Sequence, residues 1–349
     1  MVIFELPAAG DRGDLRAMSL GSCRVKNPLF VLRDRGDLRI RAEGPSPTHT
    51  VAEALQSLTV VLGERSIPES LTPYIYEGDH RPSLNRLAGT IRHGIDVFII
   101  EISDDKQFIY NDICLNQNFV SRNLVQAHRG ALLDWYREIC RGRPAEESSV
   151  RAAMNKLDTE GFSYGAPMAA LLRGLKLERR DGEEIAQNLG DLVAKMGGRW
   201  IVVGPFAIPG DEGDIMQRRR AFNESLRDGA GRCGALFYDP SQLILAYGKE
   251  TALAGGGADI YEYAETFYST VGETLVRLVR AVGPPRRQLP EPRGQHGSSA
   301  VAALPRIGRS GWVIRLEAKM GKSAQITRRY ARKLGRWIGR RLRQPLKKR

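Results

Sequence analysis

The sequence predicts an α/β fold with a mostly parallel sheet, and three observations predict it. Short apolar runs of buried-strand character recur at 17–20, 95–102, 199–204 and 234–238. The stretches between them carry apolar residues at helical spacing, the alternation that builds a parallel sheet covered by helices. After a break rich in Pro, Gly, Ser and Arg at 284–308, periodicity returns in a basic segment, adding a C-terminal amphipathic helix. A chain of 349 residues with 42% hydrophobic content is long enough to bury one large core or two modest ones.

The run at 17–20 reads as the first buried strand, ending at Gly21, with Ser22 and Cys23 on the turn that follows. In an open parallel sheet ligands gather beyond the carboxyl ends of strands, which makes Cys23 the leading candidate for a reactive atom. A helix starting near Cys23 would favour its thiolate, helped by Arg24 and Lys26. Short strands are expected at 30–32 and 38–40, around the turn at 34–36. Pro45 and Pro47 then break the chain, and Ser46 or Thr48 is expected to cap a helix carrying Val51, Ala54, Leu58 and Val61. His49, Glu53 and Gln56 can share one face of it, either a polar face near a cleft or, the commoner case, a solvated one. Residues 64–90 read as a long loop walling a pocket.

The run at 95–102 is apolar enough for a central strand, so Glu101, Ser103, Asp104 and Asp105 should gather on the edge of the sheet that holds Cys23. Helical periodicity follows over 116–141, 150–157 and 167–196, broken at 161–165 and around Asp181–Gly182, a helical insertion around 116–197, and the Gly197-Gly198 pair closes it. The strand at 199–204 runs into a loop that begins at Pro205. A helix over 213–229, the strand at 234–238 and a helix over 263–282 complete the domain, 1–283. Gly255-Gly256-Gly257 follows no strand and reads as a turn, not a phosphate loop.

Composition bounds the partners. Net charge is +13, yet residues 309–349 carry fifteen Lys or Arg against the single acid Glu317, so the rest of the chain is close to neutral. Within that segment Tyr330, Leu334, Trp337 and Ile338 share a face ringed by Arg, the pattern of a helix lying on an anionic membrane surface. Nucleic acid is the less favoured partner, because the neutral body offers no second basic surface. Cys23, Cys114, Cys140 and Cys233 form no CxxC pair, so neither a disulfide framework nor a metal site is expected. With no leader-like N-terminus, the expectation is a cytoplasmic protein, peripheral at the inner membrane face.

Four short motifs in order, Gly21-Ser22-Cys23-Arg24, the strand 96–102, the strand and loop 200–209, and 238–240 leading to Asp259-Ile260-Tyr261-Glu262, resemble the SGNH or GDSL-like hydrolase superfamily. The likeness is closest to its branch with a Gly-Ser-Cys turn, found in surface-polysaccharide biosynthesis. The resemblance implies a three-layer, flavodoxin-like sandwich. It also implies Cys23 as nucleophile, with Ser22 as the alternative, and an oxyanion hole built from the Cys23 amide with that of Ser22 or Gly21. Asp259 matches the late Asp of an Asp-x-x-His motif, but Glu262 stands where the His belongs. His49 is the first choice to supply the base, ahead of His80, His93 and His128. Arg24, Glu101, Ser103 and Pro205 complete the expected substrate site. The implied activity is acyl or acetyl transfer, or ester hydrolysis, on a glycan or acyl-ester substrate, with acyl-coenzyme A a possible donor. The alternative is a catalytically silent binding or scaffold protein.

Overall fold

Alternating buried side chains along the central strands dictate a sheet covered on both faces. A computed structural model of the protein describes residues 1–7, 14–44, 47–77, 81–92, 94–208 and 213–283. The C-terminal basic segment, the 284–308 break, His80, His93 and Ser46 therefore lie outside the described residues.

Strand β1 (Val2–Leu6) pairs antiparallel with β2 (Leu15–Leu20), which leads into helix α1 (Cys23–Asp34), and also with β3 (Arg39–Glu43). After α2 (Val51–Val61) and α3 (Arg81–Arg92) comes β4 (Val97–Glu101), parallel to β2 with Leu20 opposite Ile100. Next are β5 (Lys106–Tyr110), β6 (Ile113–Leu115), α4 (Gln117–Val120), α5 (Leu133–Cys140), α6 (Glu147–Thr159), α7 (Ala166–Gly174) and β7 (Lys176–Arg179). Helix α8 (Gly182–Met196) precedes β8 (Arg199–Val203), and α9 (Asp214–Arg232) precedes β9 (Leu236–Tyr238). Helices α10 (Ser241–Tyr247), α11 (Lys249–Ala252) and α12 (Tyr268–Val282) end the described chain.

The six-stranded sheet has the order β3-β1-β2-β4-β8-β9, parallel except at β1. Along β4, Val97 and Ile99 face α1 and α12, whereas Phe98 and Ile100 face α2, α8 and α9, giving three layers. Phe98 stacks on Trp200 of β8 with centroids 4.5 Å apart, which ties the two central strands on one face. On the other face α12 lies close on α1: a Cβ at Gly272 would come within 2.7 Å of the Pro28 carbonyl oxygen. A separate three-stranded sheet, β6-β5-β7, packs with α4 to α7 around Phe108, Leu115, Trp135 and Leu172.

Several expectations are corrected. The strand before Cys23 is the second in the chain, because β1 precedes it. Residues 30–32 belong to α1, where Leu29 and Leu32 pack on the sheet at helical spacing. Thr50, not Ser46 or Thr48, caps α2, its hydroxyl accepting the Glu53 amide at 3.1 Å. The expected loop at 64–90 contains a 3₁₀ turn, Glu69–Tyr74, and α3. The single helix expected over 116–141 is divided into α4, a π-helical turn at Ser121–Gln126, and α5. The break expected around Asp181–Gly182 is where α8 starts, capped by Asp181, and just before it strand β7 takes residues expected to be helical, drawn into register by pairing with β5. The polar face of α2 is buried: Gln56 bonds both ways with the Cys114 backbone at 2.8 Å.

Candidate functional site

The parallel register sets the site before any side chain is considered. With Leu20 opposite Ile100, Gly21 lies beside Glu101, and a Cβ on Gly21 would approach the Glu101 Cβ to 2.7 Å. Glycine is thus required by the close approach of two strand ends. Ser22 is extended and caps α1: its Oγ accepts the Arg24 amide at 3.2 Å. The same hydroxyl donates to Glu101 Oε2 at 2.6 Å, and the Ser22 amide donates to that oxygen at 2.7 Å. Arg24 pairs with Glu101 Oε1 through Nη2 and lays its guanidinium over Phe206, 4.7 Å from the ring centroid.

Glu101 is 1% exposed, so it holds the turn from behind and does not face a ligand. Burial pushes its carboxyl up, but the Arg24 charge and the two Ser22 bonds outweigh that, and it stays below its ordinary value. These bonds also remove the Ser22 alternative from the expected oxyanion hole. The Ser22 amide is spent on Glu101, whereas the Cys23 amide sits in the first turn of α1, where helix geometry offers no intrahelical acceptor.

Cys23 itself is exposed at the first position of α1. Its thiol is raised and not lowered: desolvation comes first, then the charges of Glu101 and Glu262, and together they overcome Arg24 and the Ser22 hydroxyl. The expected thiolate is therefore not preformed. Two acidic neighbours cancel what the helix start and Arg24 supply.

Cys23 opens into a cleft of 570 Å³. Ser22, Arg24, His49, Ser103, Asp259 and Glu262 also line it, so residues from β2, the approach to α2, the end of β4 and the segment before α12 meet there. Pro205 does not line it; it is buried, with its carbonyl accepting from Asn223 Nδ2 at 3.1 Å. His49 lies one residue before the cap of α2. Its Nδ1 is 2.9 Å from Ser103 Oγ and its Nε2 is 3.3 Å from Asn118 Nδ2. With Asn118 donating, His49 is the neutral tautomer that donates from Nδ1 to Ser103. Burial and Arg24 push its pKa down against the pull of Glu101, which keeps the neutral form in place at pH 7. His128 is elsewhere, its Nδ1 2.6 Å from the Leu124 carbonyl oxygen and its ring edge-on to Phe162.

Among the described residues no imidazole is hydrogen-bonded to Asp259. Its Oδ1 accepts the Tyr261 amide at 2.8 Å, pinning the turn that presents Glu262. Glu262 Oε1 accepts from Tyr268 Oη at 3.0 Å, and Tyr268 Oη receives Asn27 Nδ2 at 3.3 Å. Glu262 is thereby held at the mouth of α1 by residues from α1 and α12.

Two participants were not singled out in the sequence. Glu53, read there as part of a face more commonly solvated, lines the cleft. It accepts the His49 amide at 2.7 Å and Gln107 Nε2 at 3.4 Å, and burial lifts its carboxyl to about 7. Arg219, inside a run of three arginines with no distinguishing spacing, bonds the Phe206 and Ile260 carbonyls at 3.1 Å and sits over Tyr261. Among the described residues no group of three or more His, Cys, Asp or Glu is placed to hold a metal ion.

Fold and site together define an α/β protein consistent with the SGNH-like fold, with a strand, turn and helix presenting a cysteine at the sheet's carboxyl edge. Over residues 15–278 the sequence matches the TviD N-terminal domain, and the chain belongs to that family. It is 26% identical over 271 residues to the Vi polysaccharide biosynthesis protein TviD of Salmonella typhi. That match covers 75% of this chain and 30% of the relative, so the chain spans under a third of that protein's length. Among solved structures it is similar to mutants of Axe2, an acetyl-xylooligosaccharide esterase from Geobacillus. One has a TM-score of 0.32 and 14% identity, and a catalytic mutant has 0.31 and 12%; each match covers 75% of this chain and 93% of the other.

Proposed function

We propose that this chain is an acyl or acetyl transferase, or esterase, acting on a precursor of a surface polysaccharide, with Cys23 as its nucleophile. The observation that carries the reading is Cys23, exposed at the start of α1 and lining a cleft shared with a neutral imidazole. Family membership supplies the polysaccharide context.

In the proposed reaction Cys23 Sγ attacks the acyl carbonyl as its proton passes to His49. The developing oxyanion is met by the free Cys23 amide. The donor's alcohol or thiol leaves with that proton, and a thioester remains on Cys23. A sugar hydroxyl, or water in the esterase case, then attacks the thioester while His49 takes its proton, and the thiol is restored. His49 is preferred to Glu262 because it brings a neutral imidazole to the cleft, whereas Glu262 Oε1 is engaged by Tyr268 Oη at 3.0 Å. The long 3.3 Å contact with Asn118 leaves Nε2 able to exchange partners.

The raised thiol and the carboxylate at Glu262 favour a second reading, a binding domain without turnover. Hydrolysis of p-nitrophenyl acetate and transfer from an acyl thioester separate the two. Under the proposal, Cys23→Ala lowers kcat/KM by at least about 10³-fold and Ser22→Ala by less. No activity in the parent protein would establish the second reading, and activity undiminished in Cys23→Ala would overturn Cys23 as the nucleophile. We further propose that residues 309–349 hold the protein on an anionic membrane surface at the cytoplasmic face.

A further inference from the structure

Tyr261 faces the cleft outside the reaction centre. The residue is 59% exposed, more than any other large hydrophobic residue among those described, yet it lies in the lining of the cleft. Exposure alone is ordinary for a single apolar side chain; what sets this one apart is that it is exposed inside a cleft and held in place there. Nor is this ring loose. Its backbone amide is pinned by Asp259 Oδ1 at 2.8 Å, and the Arg219 guanidinium covers it 4.6 Å from the centroid. Arg219 is in turn fixed by two carbonyls, Phe206 and Ile260, both at 3.1 Å. A ring fixed by its turn and by a cation, with the rest of its surface free, is a preorganised platform.

We propose that Tyr261 is a stacking platform for a pyranose ring, the subsite that seats the sugar next to Cys23. The occupant is named by chemistry. A flat aromatic surface beside charged groups with several donors and acceptors suits a ring whose faces are C–H and whose rim is hydroxyl. Arg218 and Asp104 line the same cleft and supply that hydrogen bonding. Tyr261 and Cys23 line the same cleft, so a ring stacked on Tyr261 occupies the space into which the sulfur opens. The proposal rests on the reading of the cleft as a glycan site but does not need turnover.

The test is protection of Cys23 from iodoacetamide, followed by mass spectrometry of the Cys23 peptide, with the tetrasaccharide of N-acetylglucosamine as probe. The expected result is that the probe slows alkylation of the parent protein saturably. Tyr261→Ala should weaken half-protection about tenfold, and Tyr261→Trp should retain it. The retained protection in Tyr261→Trp excludes a folding defect as the cause of the loss. Absence of protection in the parent protein, or equal protection in Tyr261→Ala, would overturn the platform. Because alkylation reports occupancy alone, its failure is distinct from failure of the catalytic reading, which is decided by the Cys23→Ala kinetics.

Discussion

Cys23 is a nucleophile in a setting that raises its pKa, and the consequence is measurable. Glu262 contributes to that rise, so Glu262→Gln should lower the pH midpoint of Cys23 alkylation. A midpoint unchanged or shifted upward would show that the carboxylate does not face the sulfur. Glu53 behaves in the opposite way to the salt-bridged acids. Its buried carboxyl is lifted to about 7, so the folded state holds its proton where the unfolded chain has released it. Stability from this group is full below about pH 4, declines as pH rises toward 7, and is then flat. Glu53→Gln keeps an acceptor for the His49 amide and removes the charge. It should therefore gain up to about 3 kcal/mol over the parent at pH 8 and nothing at pH 4 in urea melts. No gain at pH 8 would mean that the carboxylate finds compensation the geometry does not provide.

Elements, more than single residues, decide what the sequence could disclose. The strands β2, β4 and β8 and the helices α2, α9 and α12 were legible because each carries an uninterrupted apolar pattern that one face of the sheet enforces. Strands β5, β6 and β7 were not, because their small sheet mixes Lys, Gln and Arg with apolar residues and is held by pairing over long separations. The turn at Gly21 was legible as a turn, but its partner Glu101 was misread as a ligand contact. Nothing local shows that a carboxylate at a strand end will be buried by an arginine from the neighbouring helix. That buried pair makes the turn fragile. Gly21→Ala drives a Cβ into Glu101 and should cost about 2–3 kcal/mol in a denaturant titration. A variant of parental stability would mean that the strand ends are not in close approach.

Taken over its full length, the chain combines a near-neutral domain with a basic C-terminal segment. The site assembles at one edge of the six-stranded sheet, drawing on segments more than 200 residues apart in sequence from Ser22 to Glu262, which is why composition alone could not reveal it. No helix among the described residues is long and apolar enough to cross a membrane. If residues 309–349 act as a surface anchor, sedimentation with phosphatidylserine vesicles should fall steeply as salt rises and vanish on their deletion. Retention of the truncated protein on vesicles would place the membrane contact elsewhere. The central claim, that the sulfur of Cys23 carries the acyl group, is met most directly by intact-protein and peptide mass spectrometry after mixing with p-nitrophenyl acetate and acid quenching. The account predicts one acetyl group on the Cys23 peptide, removed by hydroxylamine and absent in Cys23→Ala. Acetyl on Ser22 instead, or turnover with no acylated Cys23, would contradict it.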